Sequence, residues 1–368
     1  MAPPQVRRKN RPSDNACAIK EGVNQVTNIR LAEGEDFILK LTKLAISTLA
    51  ISMSLGIGTM DVAVQAATHT AARKPVKTPV IGVTLMTLTN PYFATMGNAF
   101  VKYAKLHGMK AIVDGANMSQ STMLQQVDSF IEQHVSAVVM APPDATAAVS
   151  AVLALNRAHI PVFTVDTNID MAALHKEHGR IVQFVGSNNY QAGLIAGREM
   201  AAYLKGKGDI GWIDFPTAQS VQLRDNGFMK IISRYPGIHV VSRLNGDGST
   251  PGGLTAASEA LAAHPNIRAF FDINAPCGLG AVSAIAAAHD VGKVAVIGLS
   301  GSQAAVKAIE NNSVFKFGAM QEPSLEANIE VQNIAKYLHG VHIPAQILTP
   351  VFEITRQNAA KYAPIAYH

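Results

Sequence analysis

From Thr78 onward, short apolar runs rich in Val and Ile alternate with longer stretches whose apolar residues recur every three or four positions. The first pattern is that of buried strands, the second that of amphipathic helices. In the first half, strands are predicted over residues 80–86, 111–113, 137–140 and 162–165, with helices over 91–106, 119–133 and 146–158 between them. Phe93, Met96, Phe100 and Ala104 share one face of the helix at 91–106. Asn90 stands where its N-cap is expected, and Pro91 suits the first turn. The second half repeats the grammar. Strands are predicted over 182–185, 210–215, 240–243, 269–271, 294–299 and 351–354, and helices over 190–204, 221–234, 254–263, 279–287, 303–311 and 325–338. Residues 315–320 add a further apolar run. Helical crossovers between strands imply parallel pairing, in doubly wound α/β sheets covered on both faces. So many strands suit two such lobes better than one.

The first 66 residues are a different kind of sequence. Residues 1–39 show no sustained periodicity. Lys40-Leu41-Thr42-Lys43 then precedes an uncharged apolar run that ends at Gly58, and Val64-Gln65-Ala66 follows. A basic start, a short apolar centre and a small-residue end make a secretory signal peptide, expected over 39–66. The apolar run is short for a membrane span, which needs about 20 residues. Residues 1–38 are read as a disordered or misannotated extension, with the true start near Leu39.

Composition narrows the function. The chain is 48% hydrophobic and 15% charged, which excludes a disordered protein. Two cysteines exclude a disulfide framework and a multi-cysteine zinc module. Cys277, the one outside the leader, reads as a small buried apolar residue. Of the net charge of +5, the first 66 residues carry +2, and the remainder has no basic block. A nucleic-acid partner therefore lacks its electrostatic footprint, and none is expected.

In open α/β sheets, ligands sit beyond the carboxyl ends of the strands. That rule selects Thr89-Asn90-Pro91-Tyr92-Phe93, Asp166-Thr167, Asn274, Ser300 and Gln321. Aromatic faces cover C–H surface, while carboxylate, amide and guanidinium groups meet hydroxyls, so this set suits a polyhydroxylated ligand. Other chemistries are weaker. Gly298-Leu299-Ser300-Gly301-Ser302 falls short of a nucleophile elbow, because serine stands where its last glycine belongs. His175-Lys176-Glu177-His178 has helical histidine spacing without a further ligand, and a solvated loop is expected there. Gly56-Ile57-Gly58 lacks the rest of a dinucleotide fingerprint. No catalytic residue, metal or cofactor is expected.

The residues from 78 to about 358 resemble the periplasmic sugar-binding proteins of ABC importers, of the ribose-binding type. The stretch at 89–93 is similar to the family's Asn-Pro-Phe-Phe segment, and Val165-Asp166 matches part of its Leu-Asp-Arg segment. Arg224-Asp225-Asn226-Gly227-Phe228 resembles its Arg-x-x-Gly-Phe helix. Ala263-His264-Pro265 with the later Asn274, and Gln321-Glu322-Pro323, match two further segments. The resemblance implies the type I periplasmic binding protein fold, with a three-segment hinge. Its lobes are expected to be 67–187 plus 321–350, and 188–320 plus 351–368. It implies that Tyr92 and Phe93 stack on the ligand, that Asn90 and Asp166 bond its hydroxyls from one lobe, that Arg224 and Asn274 do so from the other, and that Gln321 reaches it near the hinge. Thr167 and Ser300 stand where ribose binders carry Arg and Asp, and both are kept as contacts. The second-lobe aromatic is replaced by Gly246-Asp247-Gly248, with Phe215 or Trp212 as a substitute wall. These departures point away from ribose itself, toward another sugar, a polyol or a small polar molecule. The function implied is capture of that ligand by a monomeric, non-enzymatic receptor in the periplasm and its delivery to an ABC permease. The alternatives are a receptor for chemotaxis or signalling, or the sensor of a transcription regulator, for which residues 1–39 offer no helix-turn-helix.

Overall fold

The computed structural model describes residues 78–368. The signal peptide read at 39–66 and the extension at 1–38 lie outside the described residues. The chain begins with β1 (Val80–Leu85), α1 (Pro91–Leu106), β2 (Lys110–Gly115), α2 (Gln120–Glu132), β3 (Ala137–Met140), α3 (Val149–Arg157), β4 (Val162–Val165), α4 (Met171–Lys176) and β5 (Gln183–Ser187). It continues through α5 (Asn189–Tyr203), β6 (Lys207–Asp214), α6 (Gln219–Ile232), β7 (Gly237–Asn245), α7 (Thr250–Ala263), β8 (Ile267–Asp272), α8 (Ala275–Ala287), β9 (Ala295–Leu299), α9 (Gln303–Glu310) and β10 (Phe315–Met320). Then come α10 (Pro323–Leu338), β11 (Gln346–Thr349), β12 (Phe352–Thr355), α11 (Ala359–Tyr362) and a 3-10 turn at Ala363–Ile365.

The strands form two six-stranded sheets, ordered β11-β5-β4-β3-β1-β2 and β12-β10-β9-β8-β6-β7. Each is the core of one lobe. Every pairing is parallel except that of β10 with β12. The chain passes between the sheets three times: from β5 to β6, from β10 to β11, and from β11 to β12. The central strands β3, β4 and β9 are buried throughout, as strands covered on both faces must be.

Local chemistry explains the elements. The Asn90 side chain accepts a hydrogen bond from the Tyr92 amide, Pro91 occupies the first turn, and Met96, Phe100 and Ala104 are buried at helical spacing. Three other helices stop at a histidine with left-handed backbone: His134 after α2, His159 after α3 and His289 after α8. Histidine is among the non-glycine residues that tolerate this region. His178 does the same after α4. The loop expected around His175 is thus partly helical, because Asp170 caps the Ala173 amide and starts a short helix whose last turn holds His175.

Candidate functional site

The carboxyl ends of the strands in both lobes face one cavity with about 530 Å³ of empty space, its mouth included. From the first lobe, Asn90, Tyr92, Phe93 and Asp166 line it. From the second come Arg224 and Asn274, and Gln321 stands where β10 leaves the second sheet. Seven of the nine candidate residues are thereby brought together.

A buried polar network sets the cavity wall. Arg224, on α6, donates through Nε to Asn189 Oδ1 (2.7 Å), through Nη1 to the Ile273 carbonyl (2.9 Å) and through Nη2 to Gln321 Oε1 (3.2 Å). Its Nη2 also lies 4.0 Å from Asp166 Oδ1. That oxygen is buried and has no hydrogen-bond partner among the described residues. Burial raises the Asp166 pKa, and the Arg224 charge, with the polar groups of Tyr92 and Gln321 beside it, opposes this. Asp166 has left-handed backbone, with φ of 62°. The Asn274 side chain uses both ends of its amide: Oδ1 caps the Cys277 amide of α8, and Nδ2 donates to the Gly248 carbonyl. It is both a helix cap and a cavity residue.

Tyr92 is held from behind. Its hydroxyl donates to Glu326 Oε2 (2.9 Å), while the hydroxyls of Ser187 and Thr349 donate to Oε1. Glu326, on α10, is fully buried; desolvation and the nearby Asp166 charge push its pKa up to about 8 against the pull of these hydroxyls. Nothing in the local sequence marks it, since it lies within a helix and not in the loop that directly follows a strand.

Two candidates lie outside the cavity lining. Thr167 is buried and its hydroxyl accepts from the Ser220 amide (3.2 Å), tying the first lobe to the start of α6. Ser300 is buried and its Oγ has no partner among the described residues. Ser302, where the elbow's last glycine would stand, caps α9 through the Ala305 amide. Trp212 is also absent from the lining. It sits in the second lobe's core against Phe228 and Phe271, with the Arg243 guanidinium 4.3 Å from its ring centre. Phe215 does line the cavity, as does Tyr367, which the sequence reading missed. Tyr367 is far from every motif, so no local signal could have found it.

Two sheets of this topology, with a cavity of aromatic and polar side chains beyond their strand ends and three chain crossings beside it, define a two-lobed small-molecule binding protein. The chain belongs to the periplasmic binding protein family: residues 81–341 match the model of the periplasmic binding protein domain. It is 30% identical over 273 residues to the ribose import binding protein RbsB of Bacillus subtilis (strain 168), covering 74% of this chain and 85% of that one. Similarity extends to the D-apiose import binding protein of Paraburkholderia graminis, at 27% identity over 74% of this chain and 86% of that protein. These relatives are import binding proteins and not enzymes. The fold is also that of an ABC transporter solute-binding protein from Agrobacterium vitis solved with α-D-tagatopyranose (TM-score 0.74, 23% identity, 79% of this chain and 99% of that one). A solute-binding protein from Actinobacillus succinogenes 130z solved with D-allose gives a TM-score of 0.71 at 24% identity, over 77% of this chain and all of the other.

Proposed function

We propose that this protein captures one small sugar or polyol between its lobes in the periplasm and hands it to the permease of an ABC importer. The lobes divide at 187/188, 320/321 and 350/351 and close on the ligand by a hinge motion, as a monomer. Asn90, Tyr92, Phe93, Asp166, Arg224, Asn274 and Gln321 contact the ligand. The observation that carries this reading is Asp166: a buried carboxylate on the cavity wall with one oxygen unpartnered, opposite a guanidinium and beside two aromatic rings. Leaving such an oxygen dry is costly, and a ligand hydroxyl removes the cost. The names of the relatives, which bind ribose or apiose for import, support the ligand class.

The test is calorimetric titration with a panel of aldoses, ketoses and cyclic polyols. One of them should bind, and Asp166→Ala should weaken it by more than about 1.5 kcal/mol, because a ligand donor loses its acceptor in a dry site. An unchanged affinity in the variant would sink the assignment.

A further inference from the structure

Loop 246–248 offers the cavity only the backbone of Gly248, so the second lobe lacks an aromatic wall at that place. Tyr367 comes from the same lobe by another route. After α11 and the 3-10 turn, the chain runs back along the β9–α9 loop. The Tyr367 amide donates to the Gly301 carbonyl (3.1 Å), the Gln303 amide donates to the Tyr367 carbonyl (2.9 Å), and Ser302 and Tyr367 form a parallel bridge. The phenolic oxygen accepts from the Gly301 amide (3.3 Å). Gly301 makes room for the ring: a Cβ there would stand 2.9 Å from Tyr367 Cε1 and 2.6 Å from Met320 Cγ.

The placement of the ring is specific. Tyr367 is only 7% exposed yet lines the cavity, and its ring meets Tyr92 of the first lobe edge-on, with centroids 5.5 Å apart at 84°. Tyr92 in turn meets Phe93 edge-on at 5.1 Å. The three rings form one aromatic row that crosses from the second lobe to the first. Burial pushes the phenol pKa up to about 12, so the group stays neutral and keeps its hydrogen. Beside it, the His368 carbonyl accepts from Thr95 Oγ1 of α1, so the segment touches both lobes.

We propose that Tyr367 is a ligand-contact and specificity residue, whose ring supplies an aromatic face from the second lobe for the C–H surface of a saccharide or polyol. The inference rests on the saccharide-binding reading of this cavity and adds a residue to it. Aromatic rings bury large apolar area at fixed geometry, and the hydroxyl of a tyrosine gives the same surface one polar handle. The ring row gives the cavity a second-lobe aromatic besides Phe215, on the side that loop 246–248 leaves bare.

The experiment uses the full chain, titrated calorimetrically with D-ribose, D-allose, D-apiose and myo-inositol. Tyr367→Leu keeps apolar bulk but removes the ring, and should weaken the best-bound of these probes by about tenfold or more, while Tyr367→Phe stays within about threefold. A leucine variant that binds within threefold of wild type, or a phenylalanine variant that loses as much as the leucine one, overturns the proposal. Wild-type protein labelled with fluorotyrosine gives a readout that needs no ring-free variant to fold. The resonance that Tyr367→Phe deletes should shift on adding the probe, and a resonance that stays in place overturns the proposal. If wild type binds none of the probes while every variant is folded, the saccharide reading itself fails and takes this inference with it. If wild type binds and Asp166→Ala weakens it, any failure at Tyr367 belongs to this inference alone.

Discussion

Glu326 behind the aromatic row makes stability depend on pH in a direction that can be worked out. Its carboxyl is fully buried, and desolvation with the Asp166 charge raises its pKa to about 8, against an ordinary value of 4.5. Between those values the unfolded chain has released a proton that the folded chain still holds. The folded state therefore binds more protons, and stability falls as pH rises through this window. Below the lower value the contribution is complete, and above the upper value it is gone. At about 1.36 kcal/mol per pH unit, the full window amounts to at most about 5 kcal/mol. Asp166 lies close enough to share the effect, so the part that belongs to Glu326 is smaller. Glu326→Gln keeps an acceptor for the Ser187 and Thr349 hydroxyls, turns an amide donor toward the Tyr92 hydroxyl oxygen, and cannot ionise. Urea unfolding at about pH 5 and about pH 8 should show wild type losing roughly 2 kcal/mol more than the variant between the two conditions. Equal losses would refute the placement of a protonated carboxyl behind Tyr92.

Two further outcomes follow from close packing and from the lobe contact. In Gly193→Ala the added Cβ would lie 1.9 Å from the Arg224 carbonyl oxygen, so α5 must move off the helix that carries Arg224. Overpacking should cost about 1–3 kcal/mol and weaken ligand binding as well, and a thermal melt superimposable on wild type would count against this. Across the lobes, Thr217 donates from Oγ1 to the Pro143 carbonyl (2.9 Å), and Thr217→Val removes that bond. A loss of about 1 kcal/mol from the closed form should enlarge the ligand-free particle in small-angle scattering, and an unchanged profile would remove Thr217 from the closure contact.

The elements were legible where side-chain period and end signals agreed. The helix at 91–106 and the strands at 137–140 and 162–165 are found as read, because Asn90 and Pro91 mark a start and a doubly covered strand is apolar throughout. Helix α4 was invisible, since six residues hold too few turns for a period to show. Strand β11 was missed because it is an edge strand whose residues are mostly exposed, with only Thr349 buried. At the site, the rule that ligands lie beyond strand ends chose loops that line the cavity but not every side chain in them. The left-handed backbone at Asp166 turns the chain between Asp166, which faces the cavity, and Thr167, whose hydroxyl meets the Ser220 amide. Backbone sign at one residue cannot be read from apolar period, and contacts such as Tyr367 with Tyr92 join parts of the chain that no local pattern links.

The network also argues about the charge of the ligand. Arg224 gives three of its five N–H donors to Asn189, Ile273 and Gln321, which fixes its guanidinium and leaves two donors for a ligand. The cavity also leaves unanswered the Asp166 oxygen, an acceptor when ionised. A neutral ligand brings hydroxyl donors to it, whereas a sugar acid would bring a second carboxylate into a dry site beside the first. Like charges at such range raise one another's pKa and oppose joint ionisation. A hydroxyl donor does the opposite, favouring the ionised form of a carboxyl whose pKa burial has raised. A neutral aldose should therefore bind more tightly than its aldonic acid in calorimetric titration, and the reverse order would refute the role of Asp166 as an acceptor.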